Sequence, residues 1–253
     1  MTYCLAMRLD EGLLFLSDTR TNAGVDNIST YRKLHCFQPG GDRVVVLQSA
    51  GNLATTQEVI DRIGRDLEGP GESLATVDGL FEAALYVGRI GTEVADRHRS
   101  ALARVGADGT STFILGGQIG TDEPDVLLVY PEGNYIRASD DRPFLQIGET
   151  KYGKAWLDLA VRSEADLATA AKVALSSMSA TALANLSVGP PYDLGLLTRD
   201  SYQLRHVRID GDSPYLDRLS GVWTEHLMAA IDALPDVEPD DIEVMSPDWS
   251  TSR

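Results

Sequence analysis

The chain opens MTYCLAMRLDEGLLFLSDTR, and its second residue is a threonine. A small residue at position 2 permits removal of Met1. Thr2 then carries a hydroxyl and a free α-amine on one residue. An α-amine has a pKa near ~8, so much of it is unprotonated near neutral pH. It can serve as general base for its own hydroxyl, with no histidine required. Asp18 and Lys33 are the natural partners for such a nucleophile. A lysine held by a carboxylate near the threonine favours the unprotonated amine and stabilises the alkoxide. Taken singly, Asp18 reads as a strand-end turn residue and Lys33 as a surface lysine in a loop. Together with Thr2 they point to nucleophilic catalysis.

For the three to meet, the first two apolar stretches must pair. Tyr3 to Leu9 and Leu13 to Asp18 read as strands joined by the turn DEG, which brings Asp18 back to the start of the first strand. RVVVLQSAG, Arg43 to Gly51, is a β-branched run that stops at a glycine. A helix follows from Leu53 with apolar residues at Ile60, Ile63 and Leu67, and Asn52 is its expected N-cap. After GPGES, a second helix over Ser73 to Leu102 is expected to carry Leu74, Val77, Phe81 and Leu85 on one face, with a kink near Gly88.

Strands return at Ser111 to Leu115, Val126 to Tyr130, Tyr135 to Ala138 and Phe144 to Ile147, with PEGN as a hairpin turn. Helices are expected at Trp156 to Arg162 and Glu164 to Leu183, then strands at Asp193 to Thr198 and Tyr202 to Ile209. A last helix carries Leu216, Leu219, Trp223, Leu227 and Ile231. Alternating blocks of strands and helices fit a layered α+β protein, with two antiparallel sheets between helical layers. No internal repeat or linker divides the chain. It reads as one domain over 1–253, ending in an acidic tail over 235–253.

The composition narrows the partners. Lys and Arg number 22 against 38 Asp and Glu, for a formal net charge of -16 and a pI of about 4.5. Nucleic acid and anionic membranes are repelled by such a surface. No apolar run reads as long enough to span a membrane. No basic leader precedes an apolar core, so the cytoplasm is the expected location. Cys4 and Cys36 read as buried free thiols in apolar surroundings. Cys4 has no histidine partner in view, which argues against a cysteine nucleophile. His35, His98, His206 and His226 lack metal-ligand spacing, and neither a metal nor a cofactor is expected. GGQIG, Gly116 to Gly120, lacks the lysine of a phosphate loop and reads as a turn.

TYCLAMRLDEGLLFLSDTRTNAGVDNISTYRK, SAGNLATTQ, IGETKYGK and NLSVGPPYDLGLL together resemble the Anbu family of bacterial ancestral β-subunits, relatives of the proteasome-type N-terminal threonine hydrolases. The resemblance spans nearly the whole chain. It implies the four-layer αββα sandwich of N-terminal nucleophile hydrolases. It also implies a peptidase or amidohydrolase working on peptide or other amide bonds, in a ring or an open helical homo-oligomer. Thr2 is then the nucleophile, with Asp18 and Lys33 as its charge partners. Gly51 would donate its N–H to the oxyanion, and a strand-end glycine lets a substrate carbonyl approach closely. Ser187 matches a serine that supports the amine.

The pattern also departs from the proteasomal one. Lys33 stands one residue closer to the threonine. Ala184, beside Asn185, occupies the place of an expected aspartate. Glu149 stands where a serine is usual, and within reach of the amine it would favour the ammonium and raise its pKa. The altered surroundings of Thr2 leave a second reading, a scaffold or binding protein of the same fold with little catalysis. A third shares the site but transfers the acyl group to a second substrate.

Overall fold

A computed structural model of the chain describes residues 1–22 and 28–236. The opening hairpin forms as expected from β1 (Tyr3–Leu9) and β2 (Gly12–Asp18). Nearly every residue of both strands is buried, on both faces. That explains their continuous apolar runs rather than an alternating pattern. The short strands β3 (Arg20–Asn22) and β4 (Ile28–Thr30) pair with each other ahead of β5 (Leu34–Gly40) and β6 (Arg43–Gly51). Helix α1 (Leu53–Leu67) starts as the sequence indicates, with the Asn52 side chain accepting from the amides of Ala54 and Thr55.

Helix α2 runs over Leu80–Ala103, later than the sequence suggested. Ser73 to Val77 form a turn instead, closed by bonds from the amides of Thr76 and Val77 to the Ser73 carbonyl. Leu74 and Val77 are therefore buried, but not on the helix that carries Phe81 and Leu85, which are both exposed. The buried stripe of α2 is Leu80, Ala83, Ala84, Val87, Ile90, Gly91 and Val94, a helical spacing one residue out of phase with the expected face. Nor does α2 break at Gly88. A Cβ there would lie 2.3 Å from the Gly133 carbonyl oxygen, so the glycine admits the turn 131–134 against the helix.

After α2 come β7 (Ser111–Ile119), β8 (Asp125–Val129), β9 (Tyr135–Arg137) and β10 (Phe144–Gly148). GGQIG is not a free turn: β7 extends through Ile119, with Gly116 and Gly117 paired to both β6 and β8. Helices α3 (Lys154–Ala160) and α4 (Leu167–Ala184) lead to β11 (Tyr192–Thr198) and β12 (Leu204–Ile209).

Two five-stranded sheets result, ordered β10-β1-β2-β11-β12 and β5-β6-β7-β8-β9, and every pairing in them is antiparallel. Between them packs a cluster that includes Cys4, Phe15, Val44, Val46, Ile114 and Leu197. A second cluster joins α1 and α2 to the second sheet through Val59, Ile63, Val87, Phe113 and Leu127. Helix α4 contacts β1 and β2. By length and composition α4 could cross a membrane, contrary to the sequence reading. It nonetheless buries Leu167, Ala174, Leu175 and Met178, as a core helix does.

Cys4 is buried and free, whereas Cys36 is free but exposed, because β5 is an edge strand. Residues 1–213 form one compact unit and the segment from Pro214 a second. The second unit contains α5 (Pro214–Asp232), an amphipathic helix none of whose residues is buried. The acidic tail from 237 onward, and the centre of the loop between Asp18 and Lys33 (23–27), lie outside the described residues.

Candidate active site

Thr2 immediately precedes β1, between the end of β2 on one side and the end of β10 on the other. Both sides bond the chain at or next to it. On the β2 side, Asp18 is fully buried, and its Oδ1 accepts from the Tyr3 amide at 2.9 Å and from Lys33 Nζ at 2.7 Å. Its Oδ2 accepts from the Gly189 amide at 3.4 Å. Lys33 is only 5% exposed and donates further to the Arg20 carbonyl at 2.7 Å and the Met1 carbonyl at 3.5 Å. The lysine thus stands next to the peptide bond whose cleavage would free the Thr2 amine.

On the β10 side, the Thr2 carbonyl accepts from the Glu149 amide at 2.7 Å. The preceding Gly148 has φ of +84°, and a Cβ there would lie 2.0 Å from that same carbonyl oxygen. Only a glycine lets the two backbones come this close.

Thr2, Lys33 and Gly51 line one cavity of about 380 Å³, together with Ser49, Ala50 and Gly148. Gly51 ends β6 with φ of +114°, turning the chain from strand into α1 at the cavity wall. Asp18 lies behind Lys33 rather than on the cavity surface. Glu149 and Ser187 meet through a residue between them. The Asn185 side chain donates to Glu149 Oε2 at 3.1 Å and accepts from the Ser187 amide at 3.0 Å. All six expected site residues therefore fall in one neighbourhood, although Glu149 touches Thr2 by its backbone and not by its carboxylate.

The charges act in opposing directions. Burial pushes the Asp18 carboxyl above the usual range, against the pull of the Lys33 ammonium and of the Tyr3 and Gly189 amides. The chain's α-amine, on Met1, is held below its ordinary value by burial and then by Lys33, against Asp18. Glu149 is not among the groups acting on it. Cys4 is unsuited to nucleophilic work, because full burial drives its thiol pKa far upward. Among the described residues no cluster of His, Cys, Asp or Glu could hold a metal ion.

Several supporting residues were not singled out from the sequence. Gly189 donates to Asp18, the Arg20 carbonyl receives Lys33, Gly148 makes room for Thr2, and Asn185 joins Glu149 to Ser187. Gly148 and Gly189 sit inside the stretches IGET and SVGPP, where a glycine flanking a site residue was the available clue.

Solved structures with this arrangement of elements are close in sequence as well. The chain is 43% identical to Anbu, the ancestral β-subunit, of Yersinia bercovieri, with a TM-score of 0.87 over 94% of this chain and 100% of that one. The chain belongs to the Anbu family. A Gly-1 mutant of Anbu from Hyphomicrobium sp. strain MC1 is likewise 43% identical, with a TM-score of 0.87 and the same coverage. A helical assembly of the Anbu complex from Pseudomonas aeruginosa is 40% identical, with a TM-score of 0.90 over 94% of this chain and 99% of that one. No protein-family model and no curated protein matches the chain. Anbu is a proteasome-like β-subunit family, so the grip on residue 2 is found here on a β-subunit frame.

Proposed function

We propose that the chain is a threonine-type hydrolase of peptide or other amide bonds, with Thr2 as nucleophile once Met1 is removed. The observation that carries this reading is the buried Lys33 ammonium, held by Asp18 and reaching the Met1 carbonyl next to Thr2. With Met1 gone, the Thr2 amine takes the place of the amide nitrogen. The nearby positive charge then favours its neutral form, which accepts the proton of the Thr2 hydroxyl. The alkoxide attacks the amide carbonyl, giving a tetrahedral oxyanion. The Gly51 backbone, at the end of β6 in the same cavity, is the proposed donor to that oxyanion. The protonated amine then passes its proton to the leaving nitrogen, and water releases the acyl group by the same path in reverse. Asn185 keeps the Glu149 carboxylate occupied and also accepts from the Ser187 amide.

The two sheets, with α1 and α2 on one and α4 on the other, support the αββα sandwich of N-terminal nucleophile hydrolases. The helical assembly of the Pseudomonas aeruginosa relative supports self-association of this chain into an open helical or ring-like oligomer.

Hydrolysis of fluorogenic peptide amides by the wild-type chain and by Thr2→Ala tests the reading. Turnover that vanishes in Thr2→Ala supports it, and equal turnover in both proteins refutes it.

A further inference from the structure

A second cavity of about 430 Å³ adjoins the one that holds Thr2, and Arg32, Ser49, Leu53 and Thr56 line both. Arg32 precedes Lys33, yet the two lysine and arginine charges are used differently. Lys33 is committed to Asp18 and two carbonyls. Arg32 is exposed and makes no side-chain hydrogen bond or ion pair among the described residues. Its guanidinium, without a partner among the described residues, therefore stands on the wall that the two cavities share.

Asp61 also lines the second cavity and is likewise without a hydrogen-bond or ion-pair partner among the described residues, but it does not border the Thr2 cavity. His35, on the same wall, has its pKa lowered by burial first and also by the Arg32 charge, against a bond to the Arg32 carbonyl and the charges of Asp193 and Asp61. A substrate side chain leaving an acyl carbonyl at Thr2 thus meets a positive charge first. A guanidinium binds a carboxylate through two parallel N–H bonds, a geometry an ammonium lacks. A lysine side chain would have to pass that guanidinium before reaching Asp61.

We propose that the second cavity receives the residue on the acyl side of the cleaved bond, and that Arg32 selects an acidic side chain there, glutamate or aspartate. This rests on the hydrolase reading for the word "acyl", but the selectivity of the groove is measurable without any reaction.

The probes are the N-acetyl tripeptides Ala-Ala-Glu, Ala-Ala-Leu and Ala-Ala-Lys as free acids, titrated calorimetrically into the full chain and into its Thr2→Ala variant. The glutamate peptide should bind on the order of tenfold more tightly than the leucine peptide, as one charge-assisted pair allows. Arg32→Ala should erase that preference, and Arg32→Glu should turn it toward lysine. Equal affinities, no binding, or a lysine preference that Asp61→Asn abolishes would each overturn the assignment. The same ranking in Thr2→Ala would show that the pocket stands whether or not Thr2 reacts, so failure of the chemistry and failure of the selectivity remain separate outcomes.

Discussion

Lys33 Nζ lies 2.7 Å from Asp18 Oδ1, and both side chains are almost wholly buried. From the sequence alone Lys33 passes for a loop residue whose replacement by alanine leaves the fold largely intact. Its burial changes that expectation. Removing one member of a buried ion pair leaves the other charge without compensation, at a cost of roughly 3–5 kcal/mol. Lys33→Ala should therefore lose hydrolysis and unfold at markedly lower denaturant. The pair and the chemistry separate in the double variant Lys33→Met with Asp18→Leu, which removes both charges. It should be more stable than Lys33→Ala in urea denaturation while staying inactive, short of the wild type because the Tyr3 and Gly189 amides lose their acceptor. If Lys33→Ala keeps wild-type stability, the pair has been misjudged.

Gly148 gives a test of position rather than charge. Gly148→Ala places a Cβ against the Thr2 carbonyl in a backbone conformation that L-residues rarely adopt. Reactivity at Thr2 should fall by about tenfold or more, since a shift near 1 Å at a reacting group is costly. The readout is the rate of labelling by a peptide electrophile at matched folded fraction. An unchanged rate would mean that β10 does not set the position of Thr2.

The alkaline limb of stability draws on buried tyrosines, Tyr3 and Tyr192 among them. Burial pushes the phenols of Tyr3 and Tyr192 up to about 12. Tyr3 also exchanges a hydrogen bond with Ser177 and accepts one from Gln146. In the unfolded chain a phenol ionises near ~10. The raised folded values mean that their contribution is complete below pH ~10 and is lost as pH rises through about 12. Tm should fall steadily across that interval, and Tyr3→Phe should make the fall shallower. A Tm that holds level to pH 12 would contradict both values.

Much of this site is legible in the sequence because its parts are local. The Thr2 to Asp18 hairpin needs only two apolar runs and a turn, and the Asn52 cap needs only a residue type at a helix start. What escapes the sequence depends on contacts across long separations. Asp18 meets the Gly189 amide, and Asn185 meets Glu149, through bonds that join distant strands and loops. The phase of α2 was misread for a related reason. Leu74 and Val77 are as apolar as helix residues, and only the Ser73 turn shows that they are buried from a separate segment. Gly88 reads as the place of a kink because its partner, the Gly133 backbone, lies in another element.

The most direct test is to treat purified protein with a peptide epoxyketone, which can close a ring on a hydroxyl and an amine of one residue, and to read the product by intact and tandem mass spectrometry. Thr2 as an N-terminal nucleophile requires a chain lacking Met1, with a single adduct on Thr2 that involves both its Oγ and its amine. Turnover by a chain that retains Met1, or an adduct on any residue other than Thr2, would contradict it.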